Sequence, residues 1–349
     1  MKVLHLEIKQ YLEPQLFHSG LSTSTAFDSD FSDQQPDGVT PSQIRELASL
    51  LPSLSTICIR ATMFGASSLN TEICDALKSF VGRKEFKHLE FDSHFLGIGK
   101  AIDLLLHAPF LETLKMKDLG GSTNWTALRL NPNCLSNLTS LTLSRCYMDI
   151  ADFTQILQQV RSPRLALRTL ILHELRSHTL EKQEPQPFSY SARELRLIYL
   201  LLPYLTHFHL VLAPRSEPVH AEHFAPHFCG HLKKLVLGGD NFHFQSPFFK
   251  SILDRPAFRP TSLTIFPLAS SWGINLIELG KILQDAWADD LVLLDLENAE
   301  EAIASLVSST GAREGERWLS GGMRYIEERV ERVNRARREE GKRELILRI

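Results

Sequence analysis

The chain lacks the marks of most chemistry. It has 349 residues, yet no apolar run approaches the ~20 residues that a membrane helix needs. Its first ten residues alternate like a strand and hold no apolar core of roughly 7 to 15 residues, as a secretory signal would. Neither sign of charge is in excess. Lys and Arg number 38 against 41 Asp and Glu, a net charge of -3, so bulk electrostatics draws the chain neither to nucleic acid nor to an anionic membrane. The 5 cysteines (Cys58, Cys74, Cys134, Cys146, Cys229) are odd in number and scattered. They read as reduced, mostly buried thiols of an intracellular protein, cytoplasmic or nuclear. By the same argument Asn124 and Asn137, which head glycosylation sequons, stay unmodified.

Catalytic signatures are missing too. There is no CxxC, no HExxH and no GxSxG elbow. Gly97-Ile98-Gly99-Lys100 lacks the glycine spacing and the following Ser or Thr of a phosphate loop, and reads as a helix start. His207, His209, His220, His223, His227, Cys229 and His231 are residue types that bind zinc. Pro226 interrupts them, and strand alternation puts His207 and His209 opposite the segment carrying His223 and His227. The expectation is no catalytic residue, no metal site, no cofactor and no enzyme.

What the chain does have is a repeated phrase: apolar, two residues, apolar, one residue, apolar. The clearest copy is Leu138, Leu141, Leu143, and others are Phe86-Leu89-Phe91, Leu111-Leu114-Met116, Leu167-Leu170-Leu172, Leu205-Phe208-Leu210, Leu232-Leu235-Leu237 and Leu291-Leu294-Leu296. Weaker copies start at Met1, Leu54 and Pro260. Most starts are 25 to 32 residues apart, which fits one strand, turn and helix per unit and a stacked, solenoid-like core. A hydrophobic share of 43% is ample for such a core. Within each phrase the last two apolar residues point inward, and their flanking neighbours point out. Helical periodicity follows: Phe153, Ile156, Leu157 and Val160 share one face, and similar stretches are Thr71 to Val81, Ile98 to Leu106, Ala192 to Leu202, Pro247 to Leu253 and Leu276 to Ala286.

At these residues the chain resembles the leucine-rich-repeat family, in the divergent cysteine-type form of fungal F-box proteins. Leu138-Leu141-Leu143-Cys146 is the full phrase, with Cys146 where the family places Asn or Cys. The matching position elsewhere is His94, Leu119, Leu175, Ala213, Asp240, Leu268 or Ala299, so the polar ladder is mostly missing. The resemblance implies an α/β leucine-rich-repeat solenoid, a horseshoe with parallel inner strands and outer helices, over residues 1–310. It also implies protein recognition, with two roles in view: a substrate-recognition subunit of a ubiquitin ligase, and a free-standing scaffold or regulator without that link. No Leu-Pro-rich F-box helices are visible to hold a ligase adaptor.

Three segments break the period. Residues 18–40 are rich in Ser, Thr and Asp and read as a mobile loop before a helix starting near Pro41. Residues 177–190 read as a second surface loop. Residues 311–349 read as a charged helix whose stripe Leu319, Met323, Ile326, Val330, Val333 caps the last repeat. Basic Arg335, Arg337, Arg338, Lys342 and Arg343 alternate with Glu339, Glu340 and Glu344, which reads as a solvated face and not a nucleic-acid arm.

The remaining candidate is the inner, concave face. Alternation places Glu90 and Asp92, then Lys115 and Lys117, then His173, His207, His209 and Lys234 on it, with Val211 and Val236 beside them. A protein ligand is the expected partner, read by this polar strip. Protonation of the histidines would make such binding vary between about pH 5 and 8. Glu194 and Arg196 are expected on an outer helix, away from the site.

Overall fold

Each described copy of the phrase forms a parallel strand. The computed structural model describes residues 2–9, 40–62, 71–92, 98–119, 134–160, 167–177, 186–213, 216–217, 219–220, 231–239, 242–243, 259–266, 283, 290–296 and 313–348. They fall into two compact units, Met1–Leu111 with Asp118–Cys134, and Glu112–Lys117 with Leu135–Ile349.

The first unit contains β1 (Lys2–Lys9), α1 (Pro41–Leu50), β2 (Leu54–Thr62), α2 (Thr71–Val81), β3 (His88–Asp92) and α3 (Ile98–Leu106). Its strands pair in parallel in the order β1-β2-β3. Leu4, Ile57 and Leu89 share one row, and Leu6, Ile59 and Phe91 the next, so the three phrases are in phase. Thr40 caps α1: its hydroxyl accepts from the Gln43 N–H, and the Gln43 side chain accepts from the Thr40 N–H. Lys78 of α2 bridges Asp75 and Asp103 of α3 at 2.8 Å each.

The second unit contains β4 (Thr113–Lys117), β5 (Ser140–Ser144), α4 (Ile150–Val160), β6 (Thr169–His173), β7 (Arg176–Ser177), β8 (Gln186–Pro187), α5 (Ala192–Leu201), β9 (His207–Val211), β10 (Val219–His220), β11 (Lys234–Gly238), β12 (Phe242–His243), β13 (Ser262–Phe266), β14 (Leu293–Asp295), α6 (Arg313–Glu339) and β15 (Ile346–Arg348). Its main sheet runs β4-β5-β6-β9-β11-β13-β14-β15, with parallel pairs throughout.

The register is set where each strand begins. The Glu112 carbonyl accepts from both Thr139 N and Ser140 N, at 2.8 and 3.1 Å. The same fork recurs at Thr139 O, Arg168 O, Thr206 O, Lys233 O and Thr261 O, each taking two successive N–H groups of the next repeat. The hydroxyls of Thr139, Thr206 and Thr261 add a third donor, each at 3.1 Å to the carbonyl one repeat back. These contacts satisfy backbone groups that burial would otherwise penalise.

With register fixed, the inward rows stack. Leu114, Leu141, Leu170, Phe208, Leu235, Leu263 and Leu294 form one row, none more than 1% exposed. Met116, Leu143, Leu172, Leu210, Leu237 and Ile265 form the other, all at 0%. Strand exits are equally regular. Arg145 and Glu174 take left-handed backbone (φ 50 and 47), as does Gly239 (φ 111). At Gly239 a Cβ would lie 2.7 Å from Leu212, so only glycine fits. Arg145 N donates to His173 O at 2.7 Å and Glu174 N to Val211 O at 2.8 Å, which turns the chain off the sheet in step. Cys146 donates its thiol to the Met116 carbonyl at 3.2 Å, while Leu119, Leu175 and Ala213 at that position are buried. Within the second unit, apolar Leu175 and Ala213 therefore stand where a polar ladder would run.

Four sequence expectations change. The 177–190 segment is not wholly a surface loop, since Phe188 and Tyr190 are buried against Phe153, with ring centroids 5.1 and 5.8 Å away. Residues 178–185 lie outside the described residues, as do 18–39, 247–253 and nearly all of 276–286. Glu194 is not an outer charge: it is fully buried, accepting from the Ser191 N–H at 3.0 Å and from the hydroxyls of Ser191 and Thr154. Its place three residues after Ser191, the N-cap of α5, turns it inward. Val211 and Val236 are buried at 3% and 4%, so the outward rows are not open along their whole length. After α6 the chain adds β15, a strand absent from the sequence reading because Glu344-Leu345-Ile346-Leu347 follows a charged run with no full phrase.

α6 buries Met323, Ile326 and Val330, and its stripe continues into Arg337, which is 3% exposed and donates to the Arg343 carbonyl at 3.0 Å. Gly341 (φ 68) ends the helix, with Lys342 N donating to Arg337 O at 2.8 Å. Asn334 then clasps Leu345 on both sides, Nδ2 to O at 2.9 Å and Oδ1 from N at 2.6 Å. This clasp delivers the chain into β15.

Three substitutions check the register and the clasp. Leu141→Ala removes a fully buried side chain and should cost about 2 to 5 kcal/mol in denaturant melts. Thr142→Ala, on the other face, should change stability by no more than ~0.5 kcal/mol; equal costs would refute the strand phase. Asn334→Ala strips two hydrogen bonds from Leu345 and should lower stability by roughly 1 to 3 kcal/mol. An unchanged melt would show that β15 docks without the clasp.

Candidate functional site

The side chains that alternate with the leucine rows form three outward rows on the second unit's sheet. The first is Thr113, Ser140, Thr169, His207, Lys234 and Ser262. The second is Lys115, Thr142, Ile171, His209, Val236 and Thr264, and the third Lys117, Ser144, His173, Val211, Gly238 and Phe266. The inward rows are sealed, whereas β4, β5 and β6 keep their outward residues partly exposed. The outward rows are thus the more open face at β4, β5 and β6, while Val211, Val236 and Thr264 in the same rows are buried.

Six of the sequence-derived site residues meet on this unit: Lys115, Lys117, His173, His207, His209 and Lys234. Glu90 and Asp92 stand on β3 of the first unit. There Asp92 faces Arg60 of β2 at 3.6 Å, a partner that the sequence reading overlooked although Arg60 sits at an outward position. Arg60 is 64% exposed, so the pair adds little stability. His223, His227 and Cys229 lie outside the described residues. Among the described residues no group of three or more His, Cys, Asp or Glu is arranged to hold a metal.

The histidines differ in surroundings. His207 is exposed, and its Nδ1 lies 2.9 Å from the Thr206 hydroxyl. Partial burial, then the charge of Lys234, lowers its pKa. His209 is half-buried and packs edge-on against His173, with centroids 5.9 Å apart. Burial first, then His173 and Lys234, lower its pKa to about 4. His209 is therefore neutral throughout the pH 5 to 8 window in which the sequence suggested a charge change. At neutral pH it is an uncharged ring with its Nε2 buried, and not a cation.

Sequence reasoning also missed Arg168 and Lys233. Both are exposed and occupy the position just before the first outward residue, on either side of Thr206. Strict alternation assigns that position no face, because the strand has not yet begun there. The signal was available in the repeat itself: Glu112, Thr139, Arg168, Thr206, Lys233 and Thr261 are equivalent positions, none of them apolar.

No family model and no curated protein matches this chain. Among solved structures it is similar to the complex of Rad7 and Elc1 in yeast, at 16% identity and a TM-score of 0.41, covering 78% of this chain and 69% of that one. It is also similar to a Bacteroides fragilis protein at 12% identity and a TM-score of 0.31, covering 71% and 67%.

The depressed His209 pKa predicts a stability trend with a definite sign. Between the usual 6.5 and the folded value of about 4, the unfolded chain binds a proton that the folded chain refuses. Stability from this group is complete above pH 6.5 and falls as pH drops towards 4. His207, lowered in the same direction, adds to the trend. Urea melts from pH 4 to 7 should show it, and His209→Gln should flatten the slope. An unchanged slope in the variant would mean that His209 titrates normally.

Proposed function

We propose that the second unit is a non-catalytic protein-interaction module, a solenoid of the leucine-rich-repeat kind, whose outward sheet face receives another protein. One observation carries this. Across β4, β5, β6, β9, β11 and β13 no outward residue is acidic, while Lys115, Lys117 and Lys234 share that face with His173, His207 and His209. Between them lies a floor of Ser140, Thr142, Ser144 and Thr169. Short hydroxyl side chains leave the sheet accessible and offer donors and acceptors without bulk.

A chain with a net charge of -3 that gathers one sign of charge on one face has the polarity a complementary partner reads. Nucleic acid fits less well: the described outward positions of these strands carry three lysines and no arginine, a small cationic count for phosphate-backbone binding. No described helix is long and apolar enough to cross a membrane. Glu90 and Asp92 stand on the first unit, where Arg60 pairs with Asp92. The more specific form of this reading, a substrate-recognition subunit of a ubiquitin ligase inside the cell, has the free-standing scaffold as its competitor. Capture of a ligase adaptor separates the two.

The test begins with affinity purification from the native cell and mass spectrometry. The captured partner is then titrated against Lys115→Glu with Lys117→Glu, and against a control on α5, Arg193→Glu with Arg196→Glu, both exposed. The face variant should weaken binding by roughly tenfold, more strongly in low salt because exposed charges act largely through association rate. Loss in the α5 variant with none in the face variant would move the partner off the sheet.

A further inference from the structure

Arg168, Thr206 and Lys233 are the same position in three successive repeats. Thr206 N donates to Arg168 O at 2.7 Å and Lys233 N to Thr206 O at 2.8 Å. Adjacent strands lie ~4.8 Å apart, so Arg168 and Lys233 flank Thr206 across about 10 Å of backbone. One residue further on, His207 and Lys234 stand side by side in the outward row. Arg168, His207, Lys233 and Lys234 are all exposed, and so is His231. Neither lysine makes an ion pair among the described residues. Arg168 donates one guanidinium N–H to the Tyr204 carbonyl at 3.3 Å, which keeps Tyr204 beside it, and Tyr204 is itself 54% exposed. The Thr206 hydroxyl is taken up by the Arg168 carbonyl and the His207 ring.

The result is a rim of cations with an exposed aromatic ring, at the strand starts of β6, β9 and β11. Holding like charges this close is unfavourable in the free protein, and an anion arriving there relieves it. Arg and Tyr are also the residue types enriched where interfaces draw most of their energy. We infer that this rim docks a carboxylate-rich segment of a partner protein, with an apolar residue of that segment against Tyr204. The inference rests on the reading of the sheet face as a protein-binding surface, and names the chemistry of what binds there. A segment anchored at Arg168 and Lys233 runs across the strand starts, and about three extended residues span the gap between the two cations.

A fluorescein-labelled ten-residue peptide of Glu, Leu and Ser tests this by anisotropy against the full chain, beside its Gln-for-Glu counterpart. The Glu peptide should bind in low salt and the Gln peptide should not. Lys233→Ala with Lys234→Ala should weaken binding by roughly tenfold, and Tyr204→Ala by a smaller factor, with unchanged thermal melts showing that the variants fold. Lys115→Ala with Lys117→Ala should change it less than about twofold, since those lysines lie three strands from β9 and four from β11. Loss through Lys115 and Lys117 alone, or equal loss in both doubles, overturns the rim assignment while leaving the sheet-face reading standing. Failure of the Glu peptide to bind the wild-type chain overturns the carboxylate inference; the captured partner still decides the sheet-face reading separately. Displacement of the peptide by a single-stranded oligonucleotide at lower concentration than by unlabelled peptide would overturn a protein partner.

Discussion

Everything in the second unit depends on one carbonyl per repeat. The oxygen just before each strand holds two successive N–H groups of the next repeat, from Glu112 to Thr261. A parallel pair has no hairpin to fix its register, and a one-residue slip would turn every leucine to the other face. The forked acceptor removes that freedom, because shifting by one residue would break both of its bonds. The threonine hydroxyls at 139, 206 and 261 tighten the alternate junctions. With the fork in place, Leu141 stacks on Leu114 and Leu170 without any further choice.

The fork also explains how much of the fold was legible in the chain. Phrases such as Leu138-Leu141-Leu143 specify strand phase directly, and the helices Thr71–Val81 and Ile98–Leu106 follow from periodicity alone. What escaped is whatever depends on a third dimension. Glu194 looks like a surface charge on any helical wheel, and becomes buried because Ser191 turns it back as a cap and α4 brings Thr154 to it. Phe188 and Tyr190 sit in a polar stretch, yet they dock edge-on against Phe153 of α4, a contact that no spacing within the stretch announces. β15 has no leucine phrase of its own, and is positioned by Asn334 and Gly341 instead.

The candidate face was legible by the same rule and misjudged in its details. Alternation placed His207, His209 and Lys234 on one side, and that side is where the ladder puts them. Burial is not readable from alternation, so His209 looked like a pH sensor when it is a desolvated neutral ring. Val236 beside it is buried too. The face is therefore graded: hydroxyls and exposed lysine at β4 to β6, then at β9 and β11 an exposed first row, His207 and Lys234, beside drier second and third rows. A partner would find hydrogen-bonding groups at one end and partly desolvated imidazole and aliphatic groups at the other, where contacts exchange less water and electrostatics is less screened.

The rim residues show how a repeat architecture can vary function without touching fold. Six equivalent positions precede the strands, and their carbonyls do the same structural work whatever the side chain is. Thr139, Thr206 and Thr261 add a bond; Glu112, Arg168 and Lys233 add a charge instead. Because the fork needs only the main chain, these side chains are free to differ in sign from one repeat to the next. The side chains at such positions face what the surface meets, while the apolar residues one, two and four positions away are held by the core. That separation is why charge, more than shape, distinguishes one stretch of this face from another.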